Sequence, residues 1–176
     1  TSVVAHAQTT PQSPVERALW ATVHHGRFTA RHCSRAHGGC AARIHAFAGY
    51  VETAAAAHGI DPWVLAAMAV RESGLNPFAV GGATEGGLMQ INPCRGGLSP
   101  EVRLFVGPCG RDPNPLTPRR AARAERHRAD CAREVGACQE AIVSYAAELL
   151  ATSRVRCDGQ IEGALAVYNG STCTAT

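Results

Sequence analysis

The chain predicts a mainly helical domain, and three observations carry that expectation. Apolar residues recur at helical spacing in several separate stretches, some opening at a proline and some closing at a glycine. No run of useful length alternates apolar and polar residues, and no segment repeats. Glycine and proline concentrate between residues 74 and 117, which marks loops with at most short helical turns and leaves the rest free to form helix. About six helices follow from this pattern, with room for a small β-ribbon in residues 78 to 92.

After a polar lead-in, Ser13-Pro14-Val15-Glu16 has capping-box spacing with proline at the first helical position, and the helix it starts fades near Gly26. From about Ala41 to His58, Ile44, Phe47, Val51, Ala54 and Ala55 follow helical spacing up to Gly59. Asp61 caps the next helix, Pro62 opens it, and Gly74 suits the left-handed residue that closes it. Thr117-Pro118 opens a helix through an arginine cluster to about Val135. Another spans about Ala137 to Thr152, with Ile142, Tyr145, Ala146 and Leu149 on one side, and Asp158 is placed to cap a last helix reaching Tyr168.

With 176 residues the chain suffices for one domain with a substantial core. Residues 1–13 are expected to be a flexible lead-in and 14–176 the folded domain, with a Cys- and Arg-rich insertion at 95–136. Ala5-His6-Ala7 has the small-residue pattern of a signal cleavage site, so the lead-in is open to reading as an export remnant or a simple tail. A hydrophobic content of 45% excludes general disorder, but aromatics reach only 5%, so alanine fills much of the core.

Eight cysteines offer compensation: Cys33, Cys40, Cys94, Cys109, Cys131, Cys138, Cys157 and Cys173. An even count without C-x-x-C pairs reads as four disulfides and an oxidising compartment, hence an exported protein, periplasmic or extracellular. Zinc at His32, Cys33, His37 and Cys40 is the weaker alternative, since the spacing matches no usual finger. Cys131 and Cys138 would sit about 10 Å apart in one continuous helix, beyond disulfide reach. Either Gly136 breaks the helix between them or each pairs elsewhere. Cys33–Cys40 and Cys94–Cys109 would each close a loop.

Arginine supplies all 17 basic residues, yet the net charge is only +3. Arg119, Arg120, Arg123, Arg126 and Arg128 cluster, but Glu125, Asp130 and Glu134 interleave and no aromatic accompanies them. A solvated helix face, or attraction to anionic material, fits better than nucleic acid, which asks for a basic face with stacking aromatics. No stretch is long and apolar enough to span a bilayer.

The chemistry centres on Glu72. Leu65, Met68 and Glu72 fall at i, i+3 and i+7, so the carboxyl shares a face with apolar residues at the C-terminal end of its helix. Desolvation and the negative end of the helix dipole both disfavour its ionised form, which suits a general acid near neutral pH. An ordinary helix-end glutamate reaching solvent is the plain alternative.

Three blocks bear on that choice. Arg71-Glu72-Ser73-Gly74-Leu75-Asn76-Pro77-Phe78-Ala79-Val80, then Gly87-Leu88-Met89-Gln90-Ile91-Asn92-Pro93, then Ala166-Val167-Tyr168-Asn169 occur in an order that resembles the soluble lytic transglycosylase family. The resemblance implies a goose-type-lysozyme-like fold and cleavage of the β-1,4 bond between N-acetylmuramic acid and N-acetylglucosamine in peptidoglycan. It also implies one glutamate, here Glu72, acting first as acid and then as base toward the muramic C6 hydroxyl, giving 1,6-anhydro ends. Met89 and Gln90 would line the cleft, the Tyr168 hydroxyl would approach the acid beside Asn169, and Tyr145 would wall the cleft or simply satisfy its hydroxyl elsewhere. The short chain and the Ile-Asn-Pro ending look most like the small members linked to secretion or conjugation machinery.

The chain departs from the family at Gly81, where a serine is common, and at Glu85, where a small residue is. Goose-type lysozymes carry an acid in the comparable loop, so Glu85 keeps a hydrolytic muramidase open; a solvated loop glutamate is the alternative. Asn92 and Asp112 are the other polar candidates. Ser73 has no positioned base and reads as a helix-end hydrogen-bonding group more readily than as a nucleophile; with Glu85, Met89, Gln90, Tyr145, Tyr168 and Asn169 it is expected to contact the substrate. No cofactor and no metal are expected, and a monomer is. Peptidoglycan glycan strands are the expected partner. A non-catalytic wall-binding accessory of a secretion system and a disulfide-stabilised binder are the competing classes.

Overall fold

The computed structural model describes residues 13–25, 38–81, 85–107, 109, 117–133 and 136–173. The lead-in with Ala5-His6-Ala7, the Cys33 region and Asp112 lie outside them.

Seven helices follow one another among the described residues, and none is long and apolar enough to cross a membrane. They are α1 (Pro14–His25), α2 (Gly39–His58), α3 (Pro62–Ser73), α4 (Pro100–Val106), α5 (Pro118–Arg133), α6 (Ala137–Arg156) and α7 (Ile161–Tyr168). The two longest, α2 and α6, pack against each other. α1 and α3 pack on α2, and α7 lies on α6. Ile44, Phe47 and Val51 of α2, Leu65 of α3, and Ile142, Ala146 and Leu150 of α6 are almost completely buried between them. Small alanines on both long helices let their backbones approach closely, which fits the scarcity of aromatics.

Local signals set the helix ends. Ser13 Oγ accepts from the Glu16 N–H at 3.0 Å, while the Glu16 carboxylate is buried and meets His45 Nδ1 at 3.0 Å. Asp61 accepts from the Trp63 N–H at 2.9 Å ahead of Pro62. Gly74, at φ 61°, ends α3; its N–H donates to the Val70 carbonyl in the αL closure, and the Leu75 N–H donates to the Ala69 carbonyl.

Four expectations are corrected. A seventh helix, the seven-residue α4, lies inside the stretch expected to hold at most short helical turns. Ser99 caps it, accepting from the Val102 N–H at 3.2 Å, and Pro100 opens it, so a valid start signal sat among glycines and prolines. Helix α6 runs to Arg156, past Thr152. Asp158 does not cap α7: at φ 53° it belongs to the turn after α6, and Gln160 occupies the N-cap. The β-ribbon reduces to two isolated antiparallel bridges, Val80 with Gly86 and Gly86 with Ile91, because the chain turns again before either ladder can lengthen.

Every cysteine among the described residues is disulfide-bonded, as an oxidising compartment favours. Cys94 pairs with Cys109, Cys131 with Cys138 and Cys157 with Cys173. Cys40 is bonded as well, which removes it from any zinc site. The Cys131–Cys138 bridge forms because the helix breaks: α5 ends at Arg133, Gly136 is extended, and the Cα atoms come within 5.6 Å.

Within the 95–136 insertion, α4 belongs to the core. Leu98, Val102, Phe105 and Val106 are buried, and Arg128 of α5 holds the end of α4 by donating to the Phe105 and Val106 carbonyls at 2.8 and 3.1 Å. Arg119, Arg123 and Arg126 are exposed, the solvated face expected of the cluster.

Candidate active site

Glu72 lies one residue before the end of α3, where the apolar stripe of Leu65 and Met68 meets a cavity of about 260 Å³. Its walls are Glu72, Glu85, Gln90, Ile91, Asn92, Arg95, Leu149, Tyr168, Asn169 and Gly170. Residues distant in sequence converge there because the C-terminal ends of α3 and α7 and the glycine-rich loop meet beside Leu149 in the middle of α6. The loop is fixed by hydrogen bonds. Ser73 Oγ donates to the Leu88 carbonyl at 2.8 Å, and Gln90 Nε2 donates to the Ala79 and Gly87 carbonyls at 3.1 and 2.9 Å. Gly87, at φ 79°, sits under the Phe105 ring of α4, where an added Cβ would come within 2.5 Å of the ring.

Burial raises the Glu72 pKa above the usual carboxylate range; Arg71 opposes this and Glu85 adds to it by like-charge repulsion. Half-buried, with no hydrogen bond or ion pair to its carboxylate among the described residues, Glu72 is held toward its protonated form. A protonated carboxyl facing a cavity can deliver its proton to a bound acceptor. Glu85 is the second acid of the same cavity. A Cβ added at Gly81 would fall 2.6 Å from Glu85 Oε2 and 2.8 Å from Gln90 Oε1, so these two side chains occupy the space a residue-81 side chain would need.

Tyr168 is buried, and its hydroxyl donates to the Met89 carbonyl at 2.6 Å. Burial and the nearby Glu72 charge push the phenol pKa well upward, so it stays a donor. Its recorded hydrogen bond goes to the backbone beside the acid, not to the acid. Asn169 follows as the exposed C-cap of α7. Met89 is fully buried and contributes its carbonyl, not its side chain, to this arrangement. Ser73 acts as a backbone staple, and the Tyr145 hydroxyl donates to the Gly96 carbonyl at 2.8 Å; neither they nor Met89 line the cavity.

Sequence reasoning passed over Arg95 and Leu149 as cavity residues. The sequence places Leu149 only on the apolar side of its helix and Arg95 only at the start of the insertion. It also missed Arg43 on α2, which is buried with its guanidinium 5.9 Å from the centroids of both the Phe47 and Phe78 rings. Burial lowers its pKa to about 10, and it pins α2 to the loop after α3. Nothing in the helical pattern marks an arginine at such a position.

Fold and site together define a helical, disulfide-stabilised, lysozyme-like domain with an acid in its cleft. Residues 49–100 match the family model of the transglycosylase SLT domain. The match runs from the middle of α2 to the first residue of α4 and takes in Glu72, Glu85, Gln90 and Arg95, the first two blocks of the resemblance to soluble lytic transglycosylases. Tyr145, Tyr168 and Asn169 lie beyond it. No curated protein and no solved structure matches the chain.

Proposed function

We propose that the protein is an exported enzyme that cleaves the β-1,4 bond between N-acetylmuramic acid and N-acetylglucosamine in peptidoglycan strands. The observation that carries this reading is Glu72 itself: a half-buried acid with a raised pKa, facing a cavity, on a segment that matches the transglycosylase SLT domain. In the reaction, Glu72 gives its proton to the bridging oxygen and the C1–O bond breaks, leaving positive charge at C1. The resulting carboxylate then takes the proton of the muramic C6 hydroxyl as that oxygen bonds to C1. Glu72 ends protonated again, no water is consumed, and the product carries a 1,6-anhydro ring. Ile91, Leu149 and Tyr168 supply apolar surface that limits water around the charge. Gln90, Asn92 and Asn169 offer amides to the sugar.

Glu85 favours a second reading. Its carboxylate shares the cavity, and a second acid able to take a proton from water would give reducing ends instead. Digestion of purified sacculi followed by product mass determination separates the two: muramic ends lighter by one water mean anhydro products. Glu72→Gln is expected to abolish wall clearance while leaving sacculus binding largely intact. Equal clearance by that variant removes Glu72 from the mechanism.

A further inference from the structure

The cavity that holds two glutamates also holds one cation, Arg95, and neither a sugar hydroxyl nor an acetamido group requires a full positive charge. Arg95 directly follows Cys94 of the Cys94–Cys109 disulfide, and its side chain crosses to the end of α7. Nη2 donates to the Tyr168 carbonyl at 2.7 Å and the Val167 carbonyl at 3.3 Å, and the guanidinium carbon lies 5.8 Å from the Tyr168 ring centroid. These contacts use one nitrogen. Among the described residues Nε and Nη1 have no partner, and neither Glu72 nor Glu85 forms an ion pair with the group. The guanidinium is thus immobilised before anything binds, keeps donors unspent, and lines the cleft beside the acid. That is how an arginine prepared for a planar anion is held.

We infer that Arg95 is a specificity-determining residue that binds a carboxylate of the glycan substrate, either the lactyl carboxylate of muramic acid or one from its stem peptide. This rests on the reading of the substrate as peptidoglycan. The bound carboxylate would anchor a muramic residue beside Glu72 and so fix which of the two alternating glycosidic bonds is presented to the acid. It would also balance Arg95 where Glu72, neutral while it waits to donate, does not.

The test is calorimetric titration of the inactive Glu72→Gln protein, with and without Arg95→Gln, using soluble N-acetylglucosamine–N-acetylmuramic acid oligomers. The oligomers are prepared with free lactyl carboxylates, with those carboxylates amidated, with stem peptides attached, and with stem peptides whose own carboxyls are amidated. The expected result is roughly 10- to 100-fold tighter binding of the carboxylate form than of its amide, from a hydrogen-bonded charge. Arg95→Gln should erase that preference, and Arg95→Lys should keep part of it. Whether the preference appears in the bare or the peptide-bearing pair identifies the source. A role confined to holding Tyr168 predicts that Arg95→Gln weakens every oligomer equally with the preference intact, and that result overturns the inference. So does the absence of any preference, or of binding to any form. Sacculus digestion by the wild-type enzyme reports separately on the proposed function. Wild type that digests sacculi while the Glu72→Gln protein shows no carboxylate preference overturns the Arg95 assignment alone, and wild type inert on sacculi overturns both.

Discussion

Glu72 draws its chemistry and its cost from the same burial. Because its pKa is raised, the folded chain holds this proton more tightly than the unfolded chain does. Between the two pKa values the folded state binds more protons, so stability falls as pH rises through that window and the penalty is complete above the folded-state pKa. Glu72→Gln removes the penalty. Its urea midpoint should match or exceed that of wild type at pH 7, with the difference vanishing at acidic pH where both side chains are neutral. A clearly lower midpoint at pH 7 would mean that the carboxylate is stabilised where it lies. Glu85 adds to the upward shift, so Glu85→Gln should lower the Glu72 pKa. The alkaline limb of the pH–rate profile, where the donor loses its proton, should then move to lower pH; an unmoved limb would place Glu85 outside the coupling. The position of Glu72 was legible because helical spacing alone puts it on the face of Leu65 and Met68. The crowding of Gly81 by Glu85 was not, because it is a contact through space that spacing along the chain does not encode.

At the scale of elements, α4 holds the glycine-rich loop in shape. Its Phe105 ring lies over Gly87, and Arg128 ties its last carbonyls to α5. Gly87→Ala should destabilise the protein by roughly 1–2 kcal/mol for a side chain at left-handed φ, plus about 1–3 kcal/mol for overpacking. Phe105→Ala in that background should recover the second part only, so a double-mutant cycle in urea should show favourable coupling. Strictly additive losses would rule out the clash. The cap at Ser99-Pro100 matches that at Asp61-Pro62, yet α4 was missed because its seven residues are too few to establish a period. Asp158 illustrates the converse error. An acid followed by glycine serves a left-handed turn as well as an N-cap, and which role it takes depends on where α6 stops.

For the molecule as a whole, disulfides complete a core poor in large side chains and also set the site. Replacing Cys131 and Cys138 by serine should cost about 2–3 kcal/mol of unfolding free energy in the chain-entropy estimate, with kcat/KM on glycan strands little changed. Replacing Cys94 and Cys109 should cost about 3 kcal/mol and also lower kcat/KM, because Arg95 follows directly on Cys94. Equal effects of the two pairs on kcat/KM would separate the bridge from the cleft. The sequence by itself determined the helical class, most helix starts and stops, the acid at the end of α3 and the oxidising chemistry of the cysteines. Each of these follows from interactions within a few residues or from composition. Only the tertiary structure decided that Met89 and Ser73 do not line the cavity, that Tyr168 bonds the Met89 carbonyl, that Arg95 shares the cavity with the two glutamates, and that α4 is core. Those outcomes depend on which chain ends meet when α3, α6 and α7 pack, a geometry fixed by the whole buried surface at once.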